Sequence, residues 1–425
     1  MARTGSAGAA GRPGTARGTS VAAAAPLVAG PSGERIRAIR ATQVNIPLIA
    51  PYRWAVGAFP GLSKTIVEVE TSSGVIGLGE APSWTSALVV TDAIAPKLIG
   101  ADPLDLADCE RRALPPIRVM RNAEDDSVLR AFGAVEMALW DVAGQLAGRS
   151  VASLLGGVVR SKASFTEYFA FRLPRDGHGG EDTPKAVAAY CGRMAEQHGS
   201  RAFEGKLGVK DLATELRLAR EVRAAIGEDA LLRFDANMAW NVSTARAALR
   251  GLERYDVRNV EDPVRTYEEM ARLRPETSIS FSSHDPALRT AVRLGVPDAF
   301  VINLAVLGGI RRSLAFIHAC EELGVEVWFY SPDTGVANAA YLQVAAATEW
   351  LSNPSQTLLR WHTDDVIEGG PFVPVANEIA VPQGPGLGVR LDRTALDRCR
   401  RRFMDEGPYD EYGDPSRPGR YGGWV

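Results

Sequence analysis

Four chemically capable groups follow short apolar runs at intervals that a repeated strand–helix unit would produce. Lys206 stands in FEGKLGV, Asp235 lies 29 residues later in LLRFDAN, Glu261 another 26 residues on in RNVEDPV, and His284 a further 23 on, within the cluster Ser282-Ser283-His284-Asp285. Two carboxylates, a third polar ligand and a lysine brought to one point suit a hard divalent cation and a base. Carboxylate oxygens match Mg2+, and a lysine desolvated beside a cation has its pKa lowered, which lets it take a proton near neutral pH. Asp235 and Glu261 are the expected metal ligands. For the third, His284, Asp285 and Ser282 compete, with His284 preferred by position. Each acid also has a plainer explanation, since Asp235 or Asp262 can cap the helix that follows its strand. Taken as a set with Lys206, the acids favour a metal. Gly205 and Gly208 argue for close backbone packing around Lys206, and so for a lysine that points inward.

The elements that would carry these groups are legible after about residue 160. Eight apolar runs, SFTEYFAF, AFEGKLGV, LLRFDAN, RNVEDP, SISFSS, AFVINL, VEVWFYS and TLLRWH, alternate with helical segments such as LATELRLAREVRAAIG and SLAFIHACEELG. Strand–helix alternation implies parallel pairing through right-handed crossovers. Eight units imply a closed barrel whose strand ends meet at its C-terminal face. Before it, RIRAIRATQVNIPL and KTIVEVETSSGVIGLGEAP read as strands, the second as a hairpin turning at Ser72-Ser73-Gly74. The Gly/Pro-rich loop APYRWAVGAFPG between them holds Tyr52, Arg53 and Trp54. Residues 126–155 read as a helix ended by Gly156-Gly157.

The expected organisation is a disordered extension over 1–33, an α+β capping domain over 34–158 completed by part of 370–402, a barrel over 159–369 and an irregular tail over 403–425. Residues 1–33 are rich in Ala, Gly, Ser and Pro, carry Arg, and hold no acidic residue before Glu34; such a segment buries too little apolar surface to order itself. With 425 residues and 46% apolar content the chain can build a large core. A net charge of −3 gives no footprint for nucleic acid. No apolar run reaches the ~20 residues of a membrane span. The scattered cysteines Cys109, Cys191, Cys320 and Cys399 read as buried thiols, and a cytoplasmic protein with a small-molecule partner is expected.

The chain resembles the enolase superfamily, and within it the mandelate racemase and glucarate dehydratase branches. The likeness runs over roughly 35–400 through the hairpin cap, ALWDVAGQLAGRSVASLLGG, KxGV, FDAN, VEDP and the LGGI turn at 307–310. It implies an α+β cap on a modified (β/α)7β barrel, with Mg2+ held by Asp235 and Glu261, Lys206 as base, a cap loop at 49–60 that helps select a carboxylate substrate, and a homo-oligomer. Departures from the family pattern also carry information. The usual Lys-x-Lys begins with Glu204 here, Asn303 stands where the sixth strand usually has Asp, and WFYSPDTG places Asp333 or Thr334 where a histidine is usual. A His–Asp dyad is therefore missing, which opposes two-base racemisation. Asn303 also stands where the muconate-cycloisomerase type has a lysine, which opposes cycloisomerisation. The implied site has Lys206, Asn303 and Asp333 in the reaction, with Tyr52, Arg53, Trp54, Glu204, Asn237 and His362 against the substrate. The expected reaction is dehydration of a hydroxy acid, an acid-sugar-like compound, by α-proton removal and β-elimination. The alternatives are an epimerase or cycloisomerase, or a non-catalytic carboxylate binder.

Overall fold

A computed structural model describes residues 32–115, 126–409 and 413–415. Nearly all of the N-terminal extension, whose expected disorder is thereby untested, and the end of the C-terminal tail lie outside the described residues. The cap begins with an antiparallel meander of β1 (Ile36–Trp54), β2 (Gly57–Thr71) and β3 (Ile76–Ala81). β2 and β3 turn at the expected place, where Gly74 takes φ +87°. The β1–β2 connection is not the open loop expected over 49–60. β1 runs through Trp54, two residues make the turn, and pairing resumes from Tyr52↔Phe59 to Trp54↔Gly57 after a register shift beyond Pro47. The irregular stretch accommodates Pro51 and Pro60, which bring no N–H to a ladder. Because side chains alternate along a strand, Tyr52 and Trp54 share one face and Arg53 takes the other.

Helix α1 (Ser127–Ala147) lies across this meander. The approach is close enough that a Cβ on Gly79 would stand 1.9 Å from the Ala134 carbonyl oxygen. The helix ends earlier than expected. Gly148, at φ +64°, stops it, and Gly156-Gly157 follow a separate turn over Val151–Leu154 that Ser150 caps.

The second layer is the barrel. Parallel strands β5 (Glu167–Phe169), β6 (Ala202–Lys206), β7 (Leu231–Asp235), β8 (Asn259–Glu261), β9 (Ser280–Ser283), β10 (Ala299–Ile302) and β11 (Glu326–Phe329) lie side by side in chain order. The short strand β4 (Lys162–Ser164) precedes them and pairs with β12 (Glu378–Ala380). After β5 to β11 come, in turn, α2 (Pro184–His198), α3 (Leu212–Ile226), α4 (Val242–Leu252), α5 (Tyr267–Leu273), α6 (Leu288–Leu294), α7 (Ile310–Glu322) and α8 (Gly335–Ala347). The expected eighth strand, TLLRWH, is instead a 3-10 turn over Leu359–Trp361 that buries Leu359 and Trp361. Closure falls two residues earlier. Gln356 N–H donates to the Phe329 carbonyl at 2.8 Å, while Ser355 exchanges 2.8 Å bonds with Ser164 and Thr166, so one short segment joins both edges of the sheet. The fold is thus the expected (β/α)7β barrel under an α+β cap.

Cap carboxylates dock on barrel helices. Glu136 of α1 accepts from Ile310 N (2.7 Å) and Arg311 N (3.0 Å), filling the N-terminus of α7 behind the Gly308-Gly309 turn. Glu80 of β3 does the same for α8 through Thr334 N (3.0 Å) and Ala337 N (3.1 Å). Helix N-termini have orphan N–H groups and a positive partial charge, and these acids satisfy both. The LGGI motif therefore serves to join cap and barrel. After the barrel, α9 (Arg393–Glu406) packs on β1, where Arg402 donates to the Asn45 carbonyl at 3.0 Å. This helix occupies the first residues of the segment expected to be irregular from 403. Beyond it the Tyr409 ring covers Gly61, and Asp414 is buried. The four cysteines are buried and free. Among the described residues no helix is long and apolar enough to cross a membrane.

Glu136→Ala leaves two buried N–H groups of α7 and the Trp140 indole N–H unpaired. It should cost roughly 3 kcal/mol, read as a thermal midpoint lowered by several degrees, whereas Glu136→Gln should keep most of the stability. Equal midpoints for the alanine variant and the parent would show that the cap does not depend on this contact.

Candidate active site

Register brings the polar strand ends together. Lys206 pairs laterally with Asp235, Asp235 with Glu261, and Glu261 with Ser282, so the groups stand at one level of the barrel mouth. Neither acid is a helix cap. α4 is capped by Asn241, and α5 by Thr266 in a reciprocal box with Glu269. Asp235 and Glu261 are instead side by side and 2% and 3% exposed, which is costly for two carboxylates without a cation between or beside them. Burial and the neighbouring Asp235 push the Glu261 carboxyl up to about 8.

Lys206, Asp235, Glu261 and His284 line one cavity of about 320 Å3, together with Tyr52, Trp54 and Asn237. Lys206 Nζ is hydrogen-bonded to Asp235 Oδ2, and Asn237 holds both Asp235 oxygens through its N–H (2.8 Å) and Nδ2 (2.9 Å). The ammonium stands 5.6 Å from the Trp54 ring and 5.9 Å from that of Tyr168. Burial alone would lower the lysine pKa, as expected from sequence. Asp235, with Tyr168, Tyr52 and Glu261, outweighs it and holds the ammonium well above its ordinary value.

Of the three residues competing for the third ligand place, His284 faces the carboxylates. Its Nδ1 lies 3.2 Å from Glu261 Oε1 and 2.6 Å from Asp262 Oδ2. Burial opposes the imidazolium, but the two carboxylates raise its pKa to about 11. Ser282 Oγ is turned to Asn259 Oδ1 at 2.8 Å, and the Asp285 side chain does not line the cavity. Glu261, Asp262 and His284 place ligand atoms within 4.8 Å of one another. Asp262, fully buried at φ +39°, is a further candidate ligand that the sequence suggested only as a cap. This oxygen-rich set of buried acids fits a hard divalent cation such as Mg2+.

Five expected site residues do not line the cavity. Arg53, on the opposite face of β1, pairs with Asp182 (2.6 Å) and Asp414 (2.9 Å) and so ties the C-terminal tail to the hairpin. Glu204 lies below the mouth against Arg233 (3.0 Å) and Gln356, because it is two residues before Lys206 on the same face of β6, one layer deeper, and because Arg233 of the neighbouring strand supplies its counter-charge. Asn303 donates to Asp333 Oδ2 at 2.9 Å, and Asp333 also binds Lys64 (2.6 Å) and Tyr341 (2.8 Å), so both belong to the cap–barrel seam. His362 is buried beside β1 with neither ring nitrogen hydrogen-bonded. The other walls, which no spacing or motif marked, are Phe59, Tyr168, Tyr330 to Pro332, and Gln356 to Leu358. Tyr168 lies inside β5, level with Glu204 rather than with Lys206, so strand-end spacing does not mark it.

Burial, with Lys64 nearby, lowers the His362 pKa to about 3. An unfolded histidine binds a proton near pH 6.5, so this residue's contribution is intact above that pH and is lost as pH falls towards 3. About 2 kcal/mol should be gone by pH 5. His362→Leu should therefore resist acid better than the parent while matching it near pH 8. Parallel pH–stability curves would contradict this.

Two family models match the chain: "Mandelate racemase / muconate lactonizing enzyme, N-terminal domain" over residues 36–156 and "Enolase C-terminal domain-like" over 186–395. A chloromuconate cycloisomerase of Cupriavidus necator is 29% identical over 86% of this chain and 99% of its own length. A probable glucarate dehydratase of Streptomyces coelicolor is 27% identical over 82% and 86%. Among solved structures, an enolase from Streptomyces coelicolor shares 31% identity at a TM-score of 0.79, covering 88% of this chain and 99% of that one. An enolase from Thermobispora bispora, complexed with magnesium and formate, shares 29% at 0.81, covering 88% and 94%.

Proposed function

The chain belongs to the mandelate racemase / muconate lactonizing enzyme family of the enolase superfamily, and from this we propose that it is a Mg2+-dependent lyase that removes the α-proton of a carboxylate substrate and eliminates water from a hydroxy acid. The observation that carries the reading is the juxtaposition of Lys206 with the Asp235–Glu261 pair at the mouth of one cavity. Asp235, Glu261 and His284, with Asp262 adjoining, would hold the ion. When bound, the ion takes up the negative charge that a substrate carboxylate gains as its α-proton leaves.

The chain's own groups do the remainder. Lys206 becomes a base once Asp235 is drawn from it and its ammonium loses the proton. It then accepts the α-proton. As the Cα–H pair moves into a Cα–Cβ double bond, the β-hydroxyl departs with a proton that the same ammonium can return, giving water and an enol. Trp54 and Tyr168 flank Lys206 and limit water around it. Outside the groups assigned to the ion, no histidine or carboxylate among the described residues lines the cavity with Lys206; Asp333 and His362 do not reach it. That favours one-base elimination over two-base racemisation. Cycloisomerisation is the second reading, favoured by the likeness to chloromuconate cycloisomerase.

In D2O with Mg2+, α-proton exchange of a turned-over hydroxy acid should fall about 10²–10⁴-fold in Lys206→Ala while Mg2+ affinity persists. Exchange that survives would exclude Lys206 as the base. Asp235→Asn and Glu261→Gln should each weaken Mg2+ binding, and unchanged affinity in both would remove the metal assignment.

A further inference from the structure

The walls of the cavity limit what can stand beyond the reacting carboxylate. Five aromatic residues line it: Tyr52, Trp54, Phe59, Tyr168 and Tyr330. Outside the lysine–carboxylate–histidine group and the tyrosines, its polar side chains are largely engaged, with the buried Asn237 Oδ1 left without a partner. Asn237 holds Asp235, Ser331 Oγ donates to Asn338 at 2.7 Å, Gln356 bonds Glu204 and Glu261, and Thr357 Oγ1 accepts from Leu359 N at 3.1 Å. Cations just behind the walls have their own acids. Lys64, in an adjoining cavity of about 230 Å3, lies 2.6 Å from Asp333; Arg53 has Asp182 and Asp414, and Arg233 has Glu204.

A second carboxylate on the substrate would thus meet a largely aromatic wall and would lose its water without a counter-charge. A polyol chain would bring a hydroxyl on every carbon to a wall made largely of aromatic rings, where most of those hydroxyls would lose water without a matching partner. A flat or apolar group would instead pack on the rings.

We infer that the substrate is a monocarboxylate whose remote end is uncharged and apolar or aromatic, rather than an acid sugar or a dicarboxylate. The inference rests on the proposed function, which sets the reacting carboxylate at the Asp235–Glu261 end.

The test is calorimetric titration of the full chain, with and without Mg2+, by three α-hydroxy acids: 3-phenyllactate, malate and glucarate. With Mg2+, 3-phenyllactate should bind at least tenfold more tightly than the other two. Phe59→Ala should shrink that ratio, and Phe59→Arg, which supplies a cation at the wall, should shift it towards malate. Equal or tighter binding of malate or glucarate, or no binding of 3-phenyllactate, overturns the inference. The two readings also fail separately. Mg2+-dependent α-exchange of malate or glucarate keeps the chemistry and rejects the apolar wall. A phenyllactate preference that is indifferent to Mg2+ and unaccompanied by exchange keeps the wall and rejects the chemistry.

Discussion

Carboxylates crowded into a water-poor barrel mouth are the constraint on which the rest of this structure depends. Parallel pairing without register slip sets Asp235 beside Glu261 on adjacent strand ends, and burial penalises the negative charge that each would carry. Every neighbouring feature answers that charge. Lys206 binds Asp235, His284 reaches Glu261 and Asp262, and Gln356 from the two-residue closing segment donates to Glu261. Below them Glu204 is answered by Arg233. A cation suits this arrangement better than protons do, because a proton on Glu261 silences one acid whereas an ion can satisfy several.

The cap is held by the same kind of interaction used differently. Glu136 and Glu80 bury their carboxyl groups against the N-termini of α7 and α8, where backbone N–H groups replace water. The hairpin that carries Tyr52, Trp54 and Phe59 is thereby fixed over the mouth. Behind it, Arg53 binds Asp414 and Tyr409 covers Gly61, so the C-terminal segment braces the wall that faces the substrate. The selectivity of the cavity and the stability of the cap–barrel seam thus depend on overlapping residues.

Much of this was legible in the sequence, for identifiable reasons. Seven βα units were visible because each buried strand is a short apolar run and each helix has its own period. Lys206, Asp235, Glu261 and His284 could be found because strand ends recur at regular spacing. What failed depended on side-chain direction or on partners remote in sequence. Arg53 was expected at the substrate, yet alternation along β1 turns it away. Asp333 and Asn303 sit where catalytic groups are usual, but Lys64, 269 residues from Asp333, draws the pair into the seam. TLLRWH has the composition of a strand, and the need of Leu359 and Trp361 for burial bends it into a turn. The Lys206 pKa was expected low because burial was weighed without its direct contact to Asp235.

The proposed cation site at Asp235, Glu261 and His284 is one that protons hold closed. Calorimetric Mg2+ titration at pH 7, repeated in buffers of different ionisation enthalpy, counts the protons released per ion. With Glu261 near 8 and His284 near 11, the account predicts release of about one proton or more, abolished with binding in Asp235→Asn/Glu261→Gln. Binding without proton release, or no binding at all, would contradict it.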